Sequence, residues 1–274
     1  MRTVLKNGFC GVVFRRFLSV SFCLFSVVFL LLGSCAKEKA SEPQPISNGM
    51  GPGECRFKLM SDTAMVVYDN LNRITKVASF TYSYSANLVQ LKDPTIYKQT
   101  YDFALNAKGY PVNVGLFEPG DTAARELTWF NYNADSTLAL SRTFVWVKDR
   151  YFYSTKTVYT YTNKNLTQMM AFGPDSSKGQ LTINLAYDIT KLDKRKANFE
   201  KMYAFEPYFS VGFMPKSYNL NLITEMQVNV TGNTPIYYAM GYLYDAKGNI
   251  TTETISVKGG AMVYEKRFAY ECNN

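Results

Sequence analysis

The chain has 274 residues, of which 47% are hydrophobic and 15% aromatic, and it carries a formal net charge of +8. It contains no histidine, which excludes Ser-His-Asp and Cys-His nucleophiles, a histidine general base and a zinc site with histidine ligands. Carboxylate pairs of the glycosidase type and lysine or tyrosine chemistry stay open. The 22 acidic residues are scattered along the chain and single out no such pair.

The N-terminal segment has the pattern of a bacterial lipoprotein signal peptide. Four basic residues and no acidic one precede an apolar run over 17–32, and the run ends in a lipobox, Leu32-Gly33-Ser34-Cys35. This pattern predicts cleavage after residue 34 and a diacylglycerol on the thiol of Cys35. A retained signal anchor is the alternative, although a spanning helix needs about 20 apolar residues. Several acyl chains, palmitate among them, would hold the mature protein on a membrane.

Processing leaves two further regions. Residues 35–54 are charged and proline-containing, which is typical of a flexible tether, and residues 55–274 carry the aromatic residues of one domain. Removal of the four basic residues of 1–34 lowers the net charge from +8 to +4. With Cys10 and Cys23 in the signal peptide, Cys55 and Cys272 are the two thiols left in an oxidising compartment. They predict a disulfide, with two buried free thiols as the alternative.

A repeat runs through the domain. Each unit has an Asp- or Asn-containing turn, with strand-like alternation on both sides. Seven such hairpins imply roughly 14 antiparallel strands. We therefore predict an all-β meander that curls into an open or closed barrel-like sheet. The units start, 26 to 37 residues apart, at Tyr68, Leu105, Tyr132, Tyr161, Tyr187, Tyr218 and Tyr244. Left-handed residues are expected at Asn72, Gly109, Asn165 and Gly248.

The alternation also predicts which side chains share a face. Phe80, Tyr82 and Tyr84 are expected on one face of their strand, opposite Thr81 and Ser83. In the long strand that follows Arg150, period two places Tyr151, Tyr153, Thr155, Thr157, Tyr159 and Tyr161 together, opposite Ser154 and Lys156.

Residues 191–216 are the least regular part of the domain. We expect a long excursion or an irregular hairpin there, with a short helix within 194–205. Lys191, Lys194, Arg195 and Lys196 form a basic cluster that is interrupted by Asp193. Because no nucleic-acid-binding motif accompanies it, we predict a solvated loop and no nucleic-acid partner.

The repeat resembles known families. Tyr244-Asp-Ala-Lys-Gly-Asn-Ile-Thr is similar to the turn of the YD repeats in RHS-type shell proteins. The whole layout resembles Bacteroidota lipoproteins of unknown function with a porin-like fold, in which a lipobox precedes Tyr-Asp-x-x-Gly/Asn hairpins. Those proteins also carry an interruption like 187–199 and a segment like Ser217-Tyr218-Asn219-Leu220. The resemblance covers about residues 55–272, and it implies an architecture but neither a catalytic residue nor a cofactor.

A barrel that spans a membrane would need a continuous apolar face toward the lipid. Ser154 and Lys156 lie opposite the predicted tyrosine face, and other strands mix threonine, asparagine and lysine in the same way. We therefore expect a soluble curled sheet with its aromatic face inward, anchored to the outer membrane by its N-terminal lipid. Whether it faces the periplasm or the cell surface stays open.

Three functions follow as hypotheses. The first is a non-enzymatic cell-envelope lipoprotein, a binding or scaffold module that meets a glycan or an envelope protein. The second is a glycan-binding component of a surface uptake or adhesion system. Most tyrosines are expected in the core, so Trp129 and Trp146 are the candidates for an exposed ligand platform. The third is a carboxylate-dependent hydrolase, which needs two carboxylates facing each other across a cleft. We expect no metal and no cofactor.

Overall fold

The computed structural model describes residues 50, 54–60, 64–95, 98–175, 177–199 and 219–273. The described residues all belong to one compact unit, Ser41–Asn274. The predicted signal peptide, the lipobox with Cys35 and all of the predicted tether except residues 50 and 54 lie outside the described residues. Within the described part, no helix has both the length and the apolar character needed to cross a bilayer.

Strands dominate the described residues, with one four-residue helix, α1, at Lys196–Phe199. The strands are β1 Cys55–Leu59, β2 Val66–Tyr68, β3 Ile74–Val77, β4 Phe80–Ser85, β5 Leu88–Lys92, β6 Thr100–Leu105, β7 Pro111–Phe117, β8 Glu126–Tyr132, β9 Leu138–Val147, β10 Arg150–Thr162, β11 Asn165–Phe172, β12 Leu181–Leu192, β13 Asn221–Val230, β14 Ile236–Tyr244, β15 Ile250–Val257, β16 Met262–Arg267 and β17 Ala269–Cys272.

The sheet is an antiparallel meander. Strands β2 to β16 form one 15-stranded sheet in which every strand pairs with the next in sequence, while β1 pairs with β17 in a separate ribbon. Within the described residues, β2 and β16 do not pair with each other, so the sheet is not closed. The predicted all-β meander is confirmed in its open, barrel-like form.

Four of the hairpin turns share one hydrogen-bond pattern. At the first, the N–H of Asp69 donates to the carbonyl of Arg73 (2.9 Å), and the N–H of Asn72 donates to the carbonyl of Asp69 (3.0 Å). Asn72 is left-handed, with φ 58°, and the strand pairing shifts by one residue beside the turn. The same pairs of residues at the other three turns are Asn106 and Gly109, Asn133 and Ser136, and Asp245 and Gly248. The left-handed residues predicted at Asn72, Gly109 and Gly248 are therefore confirmed.

The turn between β10 and β11 differs, and the prediction for Asn165 is wrong. Asn163 (φ 51°) and Lys164 (φ 63°) are the left-handed residues there, because a two-residue hairpin loop needs a positive φ at both of its central positions. Asn165 begins β11 instead and is 3% exposed. Its Oδ1 accepts the N–H of Asn221, and its Nδ2 donates to Oδ1 of Asn221, both at 2.9 Å.

The core occupies one face of the sheet. The apolar residue that follows a turn is buried at several hairpins, as in Ile74, Leu138, Leu166 and Ile250, which are at most 2% exposed. Tyr82 is 7% exposed, and Phe80 and Tyr84 pack against the same cluster. The shared inward face predicted for Phe80, Tyr82 and Tyr84 is confirmed.

Tyrosine hydroxyls fasten neighbouring hairpins to one another. The hydroxyl of Tyr84 donates to the carbonyl of Ile74 (2.6 Å), the buried residue that follows the first turn. The same kind of bond joins Tyr132 to Pro111 (2.8 Å), Tyr187 to Leu166 (2.5 Å), Tyr242 to Ile223 (2.7 Å) and Tyr270 to Ile250 (2.9 Å). Burial raises the pKa of Tyr187, Tyr242 and Tyr270. These tyrosines are therefore structural, neutral donors.

In the irregular segment after β12, the structure buries the charged side chain of Arg195, which the sequence analysis expected in a solvated loop. The guanidinium of Arg195 lies 2.9 Å from a carboxylate oxygen of Asp193 and 2.6 Å from one of Glu253, and the Arg195 side chain is 3% exposed. The prediction of a solvated loop is thus wrong for Arg195, because Glu253, 58 residues further on, faces it from β15. Lys191 does lie at the surface, 3.5 Å from Asp188. The predicted helix is present as the short α1, and residues 200–218 lie outside the described part.

The first and last strands are joined to each other. Cys55 and Cys272 form a disulfide, the pairing expected from the sequence. The ring of Phe57 lies 5.4 Å from those of Phe268 and Tyr270. A single bridge, Leu59 to Met65, then leads from β1 toward β2. The ribbon of β1 and β17 therefore ties together the two ends of the strand order.

Candidate ligand-binding face

Trp129 and Trp146 lie on the same face of the sheet, opposite the core. Trp129 in β8 is directly across from Arg142 in β9, and cross-strand partners share a face. Trp146 lies on that face too, because it is four residues from Arg142 in the same strand. Trp129 is 46% exposed, whereas its strand neighbours Thr128 and Phe130 are each 5% exposed and point to the other side. The structure therefore brings the two predicted platform residues to one outer face.

A row of alternating character crosses four strands at the level of Trp129. Arg142 follows across from Trp129, Lys156 across from Arg142, and Phe172 across from Lys156. The Nζ of Lys156 lies 4.7 Å from the ring centroid of Phe172. We call Trp129, Arg142, Lys156 and Phe172 the four-strand row. It has an aromatic ring at each end and two cations between them.

A second group of aromatic side chains lies on the same face, toward the tip of the β9–β10 hairpin. The rings of Trp146 and Tyr151 meet edge to face at 4.7 Å, and those of Phe144 and Tyr153 do so at 5.7 Å. We call these four residues the tip cluster. Tyr151 is 37% exposed, and its hydroxyl donates to the carbonyl of Ala124 (3.0 Å). This bond fixes the cluster against the loop between β7 and β8.

The shared face predicted for Tyr151, Tyr153, Tyr159 and Tyr161 is wrong. The pairing of β10 with β9 shifts between Tyr153 and Thr155, so that Ser154 is an extra residue. Such a bulge reverses the alternation beyond it. Tyr159 and Tyr161 therefore face the core, where the Tyr159 hydroxyl lies 3.0 Å from the hydroxyl of Ser141. Tyr151 and Tyr153 lie on the outer face with Lys156 instead.

Sequence reasoning missed the cations of this face. Arg142, Phe144 and Trp146 do follow period two, a signal that would have placed these three side chains together. Lys156 offered no such signal, because its relation to the tyrosines depends on the bulge at Ser154. The cations could be connected to Trp129 only through the strand register.

A shallow depression of about 200 Å³ lies elsewhere, between the end of β12 and β13–β14. Asp188 is the carboxylate in its lining, beside Lys191. Hydrogen bonds from the hydroxyl (2.5 Å) and the N–H (3.0 Å) of Thr190 lower the pKa of Asp188. A carboxylate pair for hydrolysis is not assembled in this lining. Among the described residues, no group of three or more His, Cys, Asp or Glu side chains is placed to hold a metal ion.

Comparison with known proteins gives a likeness in structure alone. No protein-family model matches the chain, and no curated protein matches it in sequence. A porin-like protein from Bacteroides vulgatus superposes with a TM-score of 0.58 at 14% sequence identity, covering 80% of this chain and 99% of that one. A porin-like protein from Bacteroides uniformis superposes with a TM-score of 0.50 at 14% identity, covering 76% of this chain and 88% of that one. The fold thus resembles that of porin-like proteins from Bacteroides, as the sequence predicted.

Proposed function

We propose that this chain is a non-enzymatic lipoprotein of the cell envelope that works as a binding or scaffold module. The disulfide between Cys55 and Cys272 carries the proposal, because disulfides persist in oxidising compartments outside the cytoplasm. The lipobox that ends at Cys35 agrees with export. The likeness in fold to proteins described as porin-like also supports a place in the envelope.

Substitution of the lipidated residue tests the proposal. Cys35→Ala should abolish labelling with palmitate, because the thiol that accepts the lipid is gone. Cys23→Ala is the matched control, since it removes a cysteine of the predicted signal peptide and should leave labelling unchanged. A Cys35→Ala protein that stays membrane-bound and labelled would contradict the proposal. Protease treatment of intact cells then tells whether the domain faces the cell surface or the periplasm.

A second candidate function is glycan binding, and the exposure of Trp129 favours it. Its indole is 46% exposed on a sheet face, beside the tip cluster. Amphipathic aromatic rings on a rigid sheet suit stacking against sugar rings. On a glycan array, wild-type protein should bind at least one class of glycan and Trp129→Ala should lose that signal. Trp129→Ala with an unchanged signal would remove this candidate.

A further inference from the structure

We propose that the four-strand row binds an anionic polysaccharide that lies across strands β8 to β11. The proposal rests on the glycan-binding candidate and narrows it to sugars that carry carboxylate or sulfate groups. Trp129 is the stacking platform, Arg142 and Lys156 bind the anionic groups, and the Phe172 ring supports the Lys156 ammonium from the far end. The tip cluster borders the path of the chain on one side.

The spacing of the row fits an extended polymer. Neighbouring strands are about 4.8 Å apart, so that Trp129 and Phe172, three strands apart, are separated by about 14 Å. Each strand of the row therefore presents one side chain, and the spacing between neighbouring strands is about the length of one sugar residue. A polysaccharide perpendicular to the strands would meet an aromatic ring, a guanidinium, an ammonium and a second ring in turn.

The two cations of the row, Arg142 and Lys156, are available to an anionic ligand. Within the described residues, neither Arg142 nor Lys156 forms an ion pair. Arg142 donates to the side-chain oxygen of Asn131 (3.3 Å), and Lys156 lies over the ring of Phe172. Glu225, which the register places on the same face, is bound to Lys258 at 2.9 Å. A carboxylate or sulfate would thus find two cations without a competing carboxylate bound to either.

A membrane surface suits this arrangement less well. Interfacial binding needs aromatic side chains that reach beyond the cations into the acyl boundary. Trp129 and Arg142 lie opposite each other at one level of the sheet, so inserting the indole would carry the guanidinium with it. Trp146 and Tyr151 are held edge to face against each other, and the Tyr151 hydroxyl is bound to the carbonyl of Ala124.

Paired polysaccharides that differ only in charge test the proposal on the full-length protein. Isothermal titration would compare polygalacturonate with its methyl ester, and dextran sulfate with dextran. We expect at least one anionic polymer to bind at least tenfold more tightly than its neutral counterpart, because two charge-assisted contacts are lost with the charge. Equal affinity for both members of each pair would overturn the anionic specificity but leave glycan binding intact. Failure of all four polymers to bind would overturn the proposal as a whole.

Variants locate the binding to the row. Arg142→Gln/Lys156→Gln should weaken binding of the anionic polymer about tenfold or more and bring its affinity close to that of the neutral polymer. Lys76→Gln/Lys92→Gln is the matched control, because it removes two exposed lysines from β3 and β5 of the same sheet. Trp129→Ala should weaken both members of a pair equally. An equal loss of affinity in the two double variants would show that binding depends only on net charge, and it would overturn the site.

Vesicles distinguish the membrane alternative. Sedimentation with vesicles of phosphatidylglycerol should recover the same fraction of the non-lipidated Cys35→Ala protein with and without the row variants, because residues 1–34 are common to both proteins. Co-sedimentation that is lost in Arg142→Gln/Lys156→Gln would show that the row binds anionic lipid and would overturn the polysaccharide proposal.

Discussion

The tyrosine content of the chain invites a functional interpretation, and at the residue scale most of it is structural. The hydroxyls of Tyr84, Tyr187 and Tyr270 each donate to the carbonyl of a residue that follows a hairpin turn. Ile74, Leu166 and Ile250, the acceptors, are at most 2% exposed, where a carbonyl without a partner is costly. The sequence analysis expected most tyrosines in the core, but it gave no sign of these acceptors, because an acceptor 10 to 21 residues away is fixed by packing alone.

Removal of one hydroxyl measures this role. Tyr187→Phe should lower the free energy of unfolding by about 1–2 kcal/mol, because the Leu166 carbonyl loses its donor in a buried site. Tyr244→Phe is the control, since Tyr244 is 45% exposed. Urea titrations of the two variants give the comparison. Equal stability of the two variants would contradict a structural role for the hydroxyl bond.

At the element scale, turns were predictable and bulges were not. Asp245 and Gly248 occupy the positions that a tight turn demands, so the sequence alone places that turn correctly. Ser154 gives no comparable signal, although its bulge decides which tyrosines reach the outer face. Arg195 was misplaced for a related reason, because its partner Glu253 belongs to a strand far along the chain. Local chemistry specifies a hairpin, whereas register and long-range pairing specify the candidate face.

A glycine substitution tests the turn. Gly248 has φ 73°, a conformation that costs a residue with a side chain about 1–2 kcal/mol. Gly248→Ala should therefore destabilise the protein by about 1 kcal/mol. Gly260→Ala is the control, because its added Cβ would make ordinary contacts of 3.4 Å with Val257 and Gly260 is not left-handed. Thermal or urea unfolding that ranks the two variants equally would argue against the left-handed requirement.

At the scale of the whole molecule, the ribbon of β1 and β17 unites the two ends of a sheet that does not close by itself. The disulfide in that ribbon spans 217 residues. In the chain-entropy description, closure of so long a loop stabilises the folded state by about 5 kcal/mol, an upper figure. The pairing was predictable because Cys10, Cys23 and Cys35 fall in the predicted signal peptide and lipobox, which leaves Cys55 and Cys272.

Loss of the disulfide should weaken the entire sheet. Cys55→Ser/Cys272→Ser should lower the free energy of unfolding by about 3–5 kcal/mol, and wild-type protein in reductant should match the double variant. Urea titration with and without reductant gives both values. Wild-type stability that does not respond to reductant would show that the ribbon does not depend on the bond.

We propose that the protein is an exported, lipid-anchored module with a disulfide-tied sheet. The intact mass of the protein from the membrane fraction, taken after alkylation without reductant, tests it most directly. We expect a chain that begins at Cys35, carries a diacylglycerol and acyl group, and contains no alkylated thiol at Cys55 or Cys272. A mass equal to the unprocessed precursor, or one with two alkylated thiols, would contradict the account.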